Sequence, residues 1–342
     1  MITASARLAH VPLNQQANLP WQQQLRLAVR SVDQLLGELQ LSAADFAGTP
    51  IIDADFPLLV PRAYLQRMQP GNPSDPLLLQ VLPAAAERLE RAGYDHDPVG
   101  DGAAQLVPGL LQKYAGRALL VTTGACAIHC RYCFRRHYPY ADSAAGRADW
   151  SAAVAAIAAD STITEVLLSG GDPLSMSTAK LKRLTDQLAD VPHVRRLRLH
   201  TRWPVVLPAR VDDELLDWLA SLPWPVTVVI HANHAQELGP RVADACTQLR
   251  RAGVSLLNQS VLLAAINDSA EALCALSETL HDCGVLPYYL HILDPVAGAA
   301  HFDVPLATAV ELIGSMRSRL PGYLVPRLAR EIPGEASKQV LA

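Results

Sequence analysis

Three cysteines, Cys126, Cys130 and Cys133, stand at C-x3-C-x2-C spacing in the segment CAIHCRYC. Thiolates are soft ligands, and three at this spacing can wrap one [4Fe–4S] cluster while leaving its fourth iron without a protein ligand. An iron left open in this way can bind and activate a small molecule. The same residues can also be read as a structural zinc site, with His129 or His137 as fourth ligand. Zinc sites, however, usually use paired C-x2-C knuckles, and the chain has no second pair. Cys246, Cys274 and Cys283 are scattered through apolar stretches at helical spacing and read as small buried hydrophobes. A secreted disulfide scaffold would not distribute its cysteines like this.

A cluster loop needs a rigid frame, and the sequence supplies one from residue 118 onward. Strands are expected at 118–124, 164–170, 194–202, 225–233, 254–263 and 285–293, and helices at 149–160, 177–191, 212–222, 240–253 and 269–284. Six strands alternating with five helices, about six β-then-α units in a row, imply a parallel sheet with right-handed crossovers. Six strands make an α/β fold of the partial (β/α)6 barrel kind, short of the full eight. In barrels of this type chemistry sits where strands end and loops begin. Polar residues do gather there: the cysteine loop after 124, SGGDP at 169–173, HTR at 200–202, HANH at 231–234, NQS at 258–260, and Asp294.

Residues 1–105 read as a mostly helical extension, 106–300 as the barrel and 301–342 as a C-terminal segment. The stretch 21–39 has helical periodicity, and YDHDPVGDG at 94–102 reads as a turn-rich linker. The 342 residues are 50% hydrophobic, enough for a large core. A net charge of -4 offers no basic surface for phosphates, so no nucleic-acid partner is expected. No apolar run reaches the roughly 18 residues of a membrane span, and the first residues lack a signal-peptide core. The expectation is a cytoplasmic protein with no membrane partner.

The pattern C-x3-C-x-aromatic-C after the first strand resembles the radical S-adenosylmethionine (SAM) superfamily, with Tyr132 as the aromatic that packs adenine. Ser169, Gly170, Gly171 and Asp172 resemble that superfamily's glycine-rich stretch, whose backbone groups meet the amino group of SAM. The segments CRYCFRRHYPY (130–140), VPGLLQKYAGRALL (107–120), LLNQSVLL (256–263), PYYLHILDPVAGAAHF (287–302) and GYLVPRLAREIPGEASK (322–338) resemble the lysine 2,3-aminomutase family over roughly residues 60–342. The resemblance is greatest to the short branch that makes β-lysine for elongation factor P. In keeping with that branch, the sequence stops four residues after Lys338, without the longer C-terminal extension of the free-lysine enzymes. It implies an isomerase that uses a [4Fe–4S] cluster, SAM and pyridoxal 5'-phosphate (PLP) to turn L-α-lysine into β-lysine. It also implies an electron donor such as a flavodoxin or ferredoxin, and a functional link to elongation factor P and its lysyl-transferring enzyme.

The resemblance assigns roles position by position. Lys338, in GEASK, matches the lysine that holds PLP covalently; taken alone, a lysine this near the end of the sequence would read as a solvated tail residue. Lys113, Tyr114 and Arg117 match the group that holds PLP, mainly at its phosphate, although arginine is common where Lys113 stands. Arg202 is a second phosphate contact. Arg135 matches the arginine that grips the substrate carboxylate, and Asp294 and Glu331 match the acids that read the distant ammonium of lysine. Glu331 stands where the free-lysine enzymes have aspartate. His231 and Gln259 match positions beside SAM. A Schiff-base lysine must be partly deprotonated, hence buried, so the tail is expected to fold back over the barrel mouth. Rival readings are an aminomutase acting on another amino acid such as glutamate, a radical SAM enzyme that consumes SAM, and a zinc-stabilised barrel that binds a partner protein. A helical cap and a contact between copies in a homo-oligomer are two uses open to residues 1–60.

Overall fold

The computed structural model describes Gln16 and residues 18–46, 56–141 and 150–342. Parts of the expected N-terminal extension (1–15, 17 and 47–55) lie outside the described residues, as does residue 149 at the start of the first barrel helix. The frame is a single ten-stranded sheet whose strands follow one another in chain order. Six of them are the expected parallel strands: β3 (Arg117–Thr123), β4 (Glu165–Gly170), β5 (Arg196–Thr201), β6 (Val226–His231), β7 (Ser255–Val261) and β8 (Leu286–His291). Their register is set by apolar pairs such as Leu119 with Leu167 and Leu199 with Val228. Apolar residues such as Leu120, Leu168, Leu199, Val228 and Leu290 are buried within these strands.

Four further strands extend this frame. β1 (Gln105–Val107) and β2 (Leu110–Tyr114) form an antiparallel meander onto β3. β9 (Arg327–Arg330) adds a seventh parallel strand beside β8, and β10 (Gln339–Val340) turns back antiparallel onto β9. None of these four exceeds five residues, too short for alternation to show in the sequence.

The helices Ser151–Ala159, Thr178–Ala189, Asp213–Ser221, Pro240–Arg251 and Ala270–Asp282 alternate with the parallel strands as expected. Asp212 and Ser269 cap two of them by accepting the amide protons of Leu215 and Ala272. A fourteen-residue helix, Leu306–Arg319, connects β8 to β9. The described residues of 18–46 and 56–104 form short helices and turns rather than long ones, the second stretch broken by the prolines at 57, 61, 70, 73 and 76. They share one apolar core with the barrel, where Trp21 meets Trp203 edge-on at 5.0 Å. No helix among the described residues is long and apolar enough to cross a membrane.

Candidate active site

The C-terminal ends of the parallel strands open into a cavity of about 280 Å³. The three clustered cysteines and every residue to which the family resemblance assigns a role line it. The cysteine loop follows β3 and is held from outside by the N-terminal extension. The amides of His129 and Arg131 donate to the carbonyls of Leu59 (3.1 Å) and Gln80 (2.9 Å). Buried Glu87 accepts from the guanidinium groups of both Arg131 and Arg136. The loop therefore has little freedom, and all three thiols face the cavity.

Burial pushes the thiols of Cys126 and Cys133 up, the latter to about 11, and the neighbouring cysteine sulfurs add to this. Thiols held this way resist ionisation until a cation joins them, which is the behaviour expected of Cys126 and Cys133 in a metal-cluster pocket. Among the described residues no three His, Cys, Asp or Glu side chains converge on one metal-ion position.

Arg202 lies beside these sulfurs. Its guanidinium donates to Cys130 Sγ at 2.6 Å, to Gln80 Oε1 at 2.7 Å and to Glu237 Oε2 at 2.8 Å. Those partners occupy the group expected to contact a phosphate. Tyr132 is buried in the same network, its hydroxyl accepting from Asn233 at 2.7 Å and its ring 5.9 Å from that of His231.

The glycine pair after β4 makes a close approach possible. A Cβ on Gly171 would stand 2.5 Å from the Ala125 carbonyl oxygen, and one on Gly170, whose φ is +122°, would stand 2.6 Å from the Thr123 carbonyl oxygen. The amides of Gly171 and Asp172 donate to Thr123 O (2.7 Å) and Ala125 O (2.9 Å), tying this turn to the cysteine loop. An ammonium only donates, so one bound here would have to meet oxygens of this turn rather than its amides. The Asp172 carboxylate is likewise committed. It accepts from Thr201 Oγ1 (2.7 Å), the Arg202 amide (2.6 Å) and the Leu174 amide (3.0 Å), while burial raises it to about 7.

A row of alternating charge occupies the other part of the cavity. Arg135 Nε donates to Asp101 at 2.7 Å, and its Nη1 donates to Ser169 Oγ at 3.2 Å. Asp101 also pairs with Lys113 Nζ at 2.8 Å, and Lys113 lies 3.8 Å from Glu331. Glu331 accepts from Tyr114 OH at 2.6 Å and from Lys338 Nζ. Arg117 stacks over the Tyr114 ring at 4.9 Å. Asp294 stands near Lys338, with burial lifting its carboxyl to about 6, while Lys338 and Tyr114 draw Glu331 below the ordinary range. The tail does fold back: Leu341 N bonds Leu328 O (2.8 Å), Leu328 N bonds Ala342 O (3.1 Å), and β10 hangs Lys338 over the cavity. Gln259 on β7 pairs in register with His231 on β6.

Sequence reasoning missed several residues here. Asp101 sat in a segment read as a linker, and nothing in its spacing marked it. Glu87 and Glu237 are buried counter-ions whose partners lie far away in the chain. His200 and His291 line the cavity too, and burial holds both imidazoles neutral. His200 belongs to the HTR segment noted at a strand end, so its position was a usable signal. Cys246, Cys274 and Cys283 are buried away from the cavity, as expected.

No protein-family profile matches the chain. It is 45% identical over 337 residues to an L-lysine 2,3-aminomutase of Escherichia coli, covering 98% of both chains. It is 42% identical over 322 residues to an L-lysine 2,3-aminomutase of Haemophilus influenzae, covering 94% of this chain and 95% of that one. Among solved structures, a radical SAM methyltransferase from Sphaerobacter thermophilus aligns with a TM-score of 0.43 at 18% identity, over 65% of this chain and 68% of that one. On the near-full-length identity to those two relatives, the chain belongs to the lysine 2,3-aminomutase family of isomerases, which work with a [4Fe–4S] cluster, SAM and PLP.

Proposed function

We propose that this chain converts L-α-lysine to β-lysine by moving the amino group from the α- to the β-carbon, and that the product supplies elongation factor P modification in the cytoplasm. The observation that supports this most directly is the row Arg135–Asp101–Lys113–Glu331–Lys338. With Asp294 beside it, the row puts a guanidinium suited to a carboxylate, acids (Glu331 and Asp294) suited to an ammonium and a lysine suited to a carbonyl cofactor on one cavity. When bound, the cluster with SAM supplies a hydrogen-abstracting radical and PLP carries the migrating nitrogen.

The residues divide the work as follows. Cys126, Cys130 and Cys133 hold the cluster, and Arg202 donates to one of its sulfurs. Gly170, Gly171, Tyr132, His231 and Gln259 shape the SAM side. Ser169 and Asp172 act indirectly, through Arg135 and the 201–202 turn. Lys338 anchors PLP, while Lys113, Tyr114 and Arg117 hold its phosphate end. Arg135 grips the substrate carboxylate, and Asp294 with Glu331 receives the distant ammonium. No acid–base pair is needed for radical steps; the protein's contribution is orientation and exclusion of water. Paired acids also disfavour glutamate, whose side chain would meet like charge in a dry site.

The test is anaerobic purification, addition of PLP, borohydride reduction and location of the modified lysine by mass spectrometry. This is followed by incubation with lysine, SAM and a reduced flavodoxin or ferredoxin. A brown protein labelled at Lys338 that makes β-lysine supports the proposal. A colourless zinc protein overturns the cluster assignment, and a brown protein that ignores PLP overturns amino migration. Loss of β-lysylated elongation factor P on deletion of the gene tests the physiological link.

A further inference from the structure

We propose that Asp101 is a positioning residue for the reaction, one carboxylate that fixes both the arginine facing the substrate and the lysine facing PLP. This rests on the roles proposed above for Arg135 and Lys113. The two Asp101 oxygens are divided between them: Oδ2 accepts from Arg135 Nε at 2.7 Å and Oδ1 pairs with Lys113 Nζ at 2.8 Å. Only 2% of Asp101 is exposed, so both contacts form away from bulk water, where a carboxylate holds a cation more firmly.

The geometry of the guanidinium matters here. Asp101 uses the Nε edge of Arg135, and Nη1 reaches Ser169 Oγ at 3.2 Å. With one edge occupied, the group cannot rotate about its stem, and its remaining donors keep a fixed aim into the cavity. Lys113 is fixed from two sides, because it also donates to the Val99 carbonyl at 2.7 Å.

The segment that carries Asp101 is itself braced. Asp97 accepts from the amides of Asp101 (2.7 Å) and Gly102 (2.9 Å), and Asp95 accepts from the Asp97 amide (2.9 Å). Asp95 is in turn joined to the loop after β8, its amide donating to Pro295 O (3.0 Å) and its carbonyl accepting from Ala297 (2.8 Å). The turn thus ties substrate grip, PLP grip and the Asp294 loop together through one short run of backbone.

The experiment compares Asp101→Asn, Asp101→Glu and Arg135→Met in the cluster-loaded protein. Four quantities are read: iron content, PLP affinity by absorbance titration, KM and kcat for lysine, and the preference for lysine over lysinamide as competing ligands. Asp101→Asn is expected to weaken PLP binding and raise the lysine KM by about tenfold each, as loss of a charge-assisted contact does. The kcat should stay within about threefold, iron content should be unchanged, the preference for lysine over lysinamide should shrink, and Asp101→Glu should recover most of the loss. PLP affinity and lysine KM both within about twofold of the parent, with only the melting temperature lowered, would overturn the proposal. If Arg135→Met leaves the lysinamide discrimination intact, the carboxylate role of Arg135 falls instead, whatever Asp101→Asn does.

Discussion

Tyr114 donates its phenol proton to Glu331 across 2.6 Å, joining the last residue of β2 to the first residue after β9. The two positions are 217 apart in the chain and belong to opposite ends of an open sheet. A full barrel would close this seam with backbone hydrogen bonds; here side chains span it at the cavity. Tyr114→Phe should therefore cost more than a lost surface contact. The hydrogen bond ends on a charged acceptor, so about 1.5–3 kcal/mol is at stake. A lowered melting temperature together with weaker PLP binding is the expected result, and an unchanged value of both would show that the seam does not depend on this bond.

Asp294 sets a pH dependence whose sign follows from its surroundings. Burial lifts its carboxyl from 3.8 to about 6, opposed by the Lys338 cation. The folded protein thus takes up a proton more readily than the unfolded chain. Stability from this group is fully present below the unfolded value and is lost as pH rises through about 6. Substrate binding runs the other way, because only the ionised carboxylate attracts an ammonium. Lysine affinity should rise as pH climbs through this window, and Asp294→Asn should flatten that limb while weakening binding throughout. A parent enzyme whose lysine affinity is the same at pH 5 and pH 8 would contradict the assignment.

The barrel was legible in the sequence because six strands repeat one grammar: an apolar run, a polar strand end, then an amphipathic helix. The cavity was legible for the same reason, since a strand end in a parallel barrel places its residues at one mouth. The short strands were not. β10 has two residues, and what makes it a strand is its pairing with β9, a contact no local pattern encodes. Without β10, Lys338 would indeed be the solvated tail lysine that local reasoning suggests. Arg202 shows the same limit from the other side. Its place at a strand end was evident, but its partners Glu237, Gln80 and Cys130 come from three separate stretches of chain, so where its charge points could not be read locally.

Gly171 gives a test of how tightly the SAM-side turn abuts the cysteine loop. An added methyl would meet Ala125 O at 2.5 Å and Gly124 C at 2.7 Å, both backbone atoms that cannot turn aside. Gly171→Ala must displace residues 124–125, directly before Cys126. The expected outcome is a folded protein with reduced iron per chain and a weakened affinity for SAM. Full iron content and unchanged SAM binding would mean that the loop can yield at no cost.

Glu87 offers the sharpest separation of folding from cofactor loading. Its carboxylate receives Arg131 and Arg136, and Arg131 is fully buried. Burial alone would raise this carboxyl, yet the two guanidinium groups hold it below its ordinary range. Removing it leaves two cations with no counter-charge in a dry site, a change that typically costs 3–5 kcal/mol, or about that order here. The sign with pH is fixed by the depressed value: this contribution is present above the ordinary carboxylate range and is lost as pH falls through the folded pKa. Glu87→Gln should therefore lower the melting temperature strongly at pH 7, and the difference from the parent should shrink progressively as the pH is taken down through the acid range below 4.5. Because the arginines flank Cys130 and Cys133, the variant should also retain iron less well at temperatures where its circular dichroism is still native. Iron lost only in step with global unfolding would show that the clamp serves the fold alone.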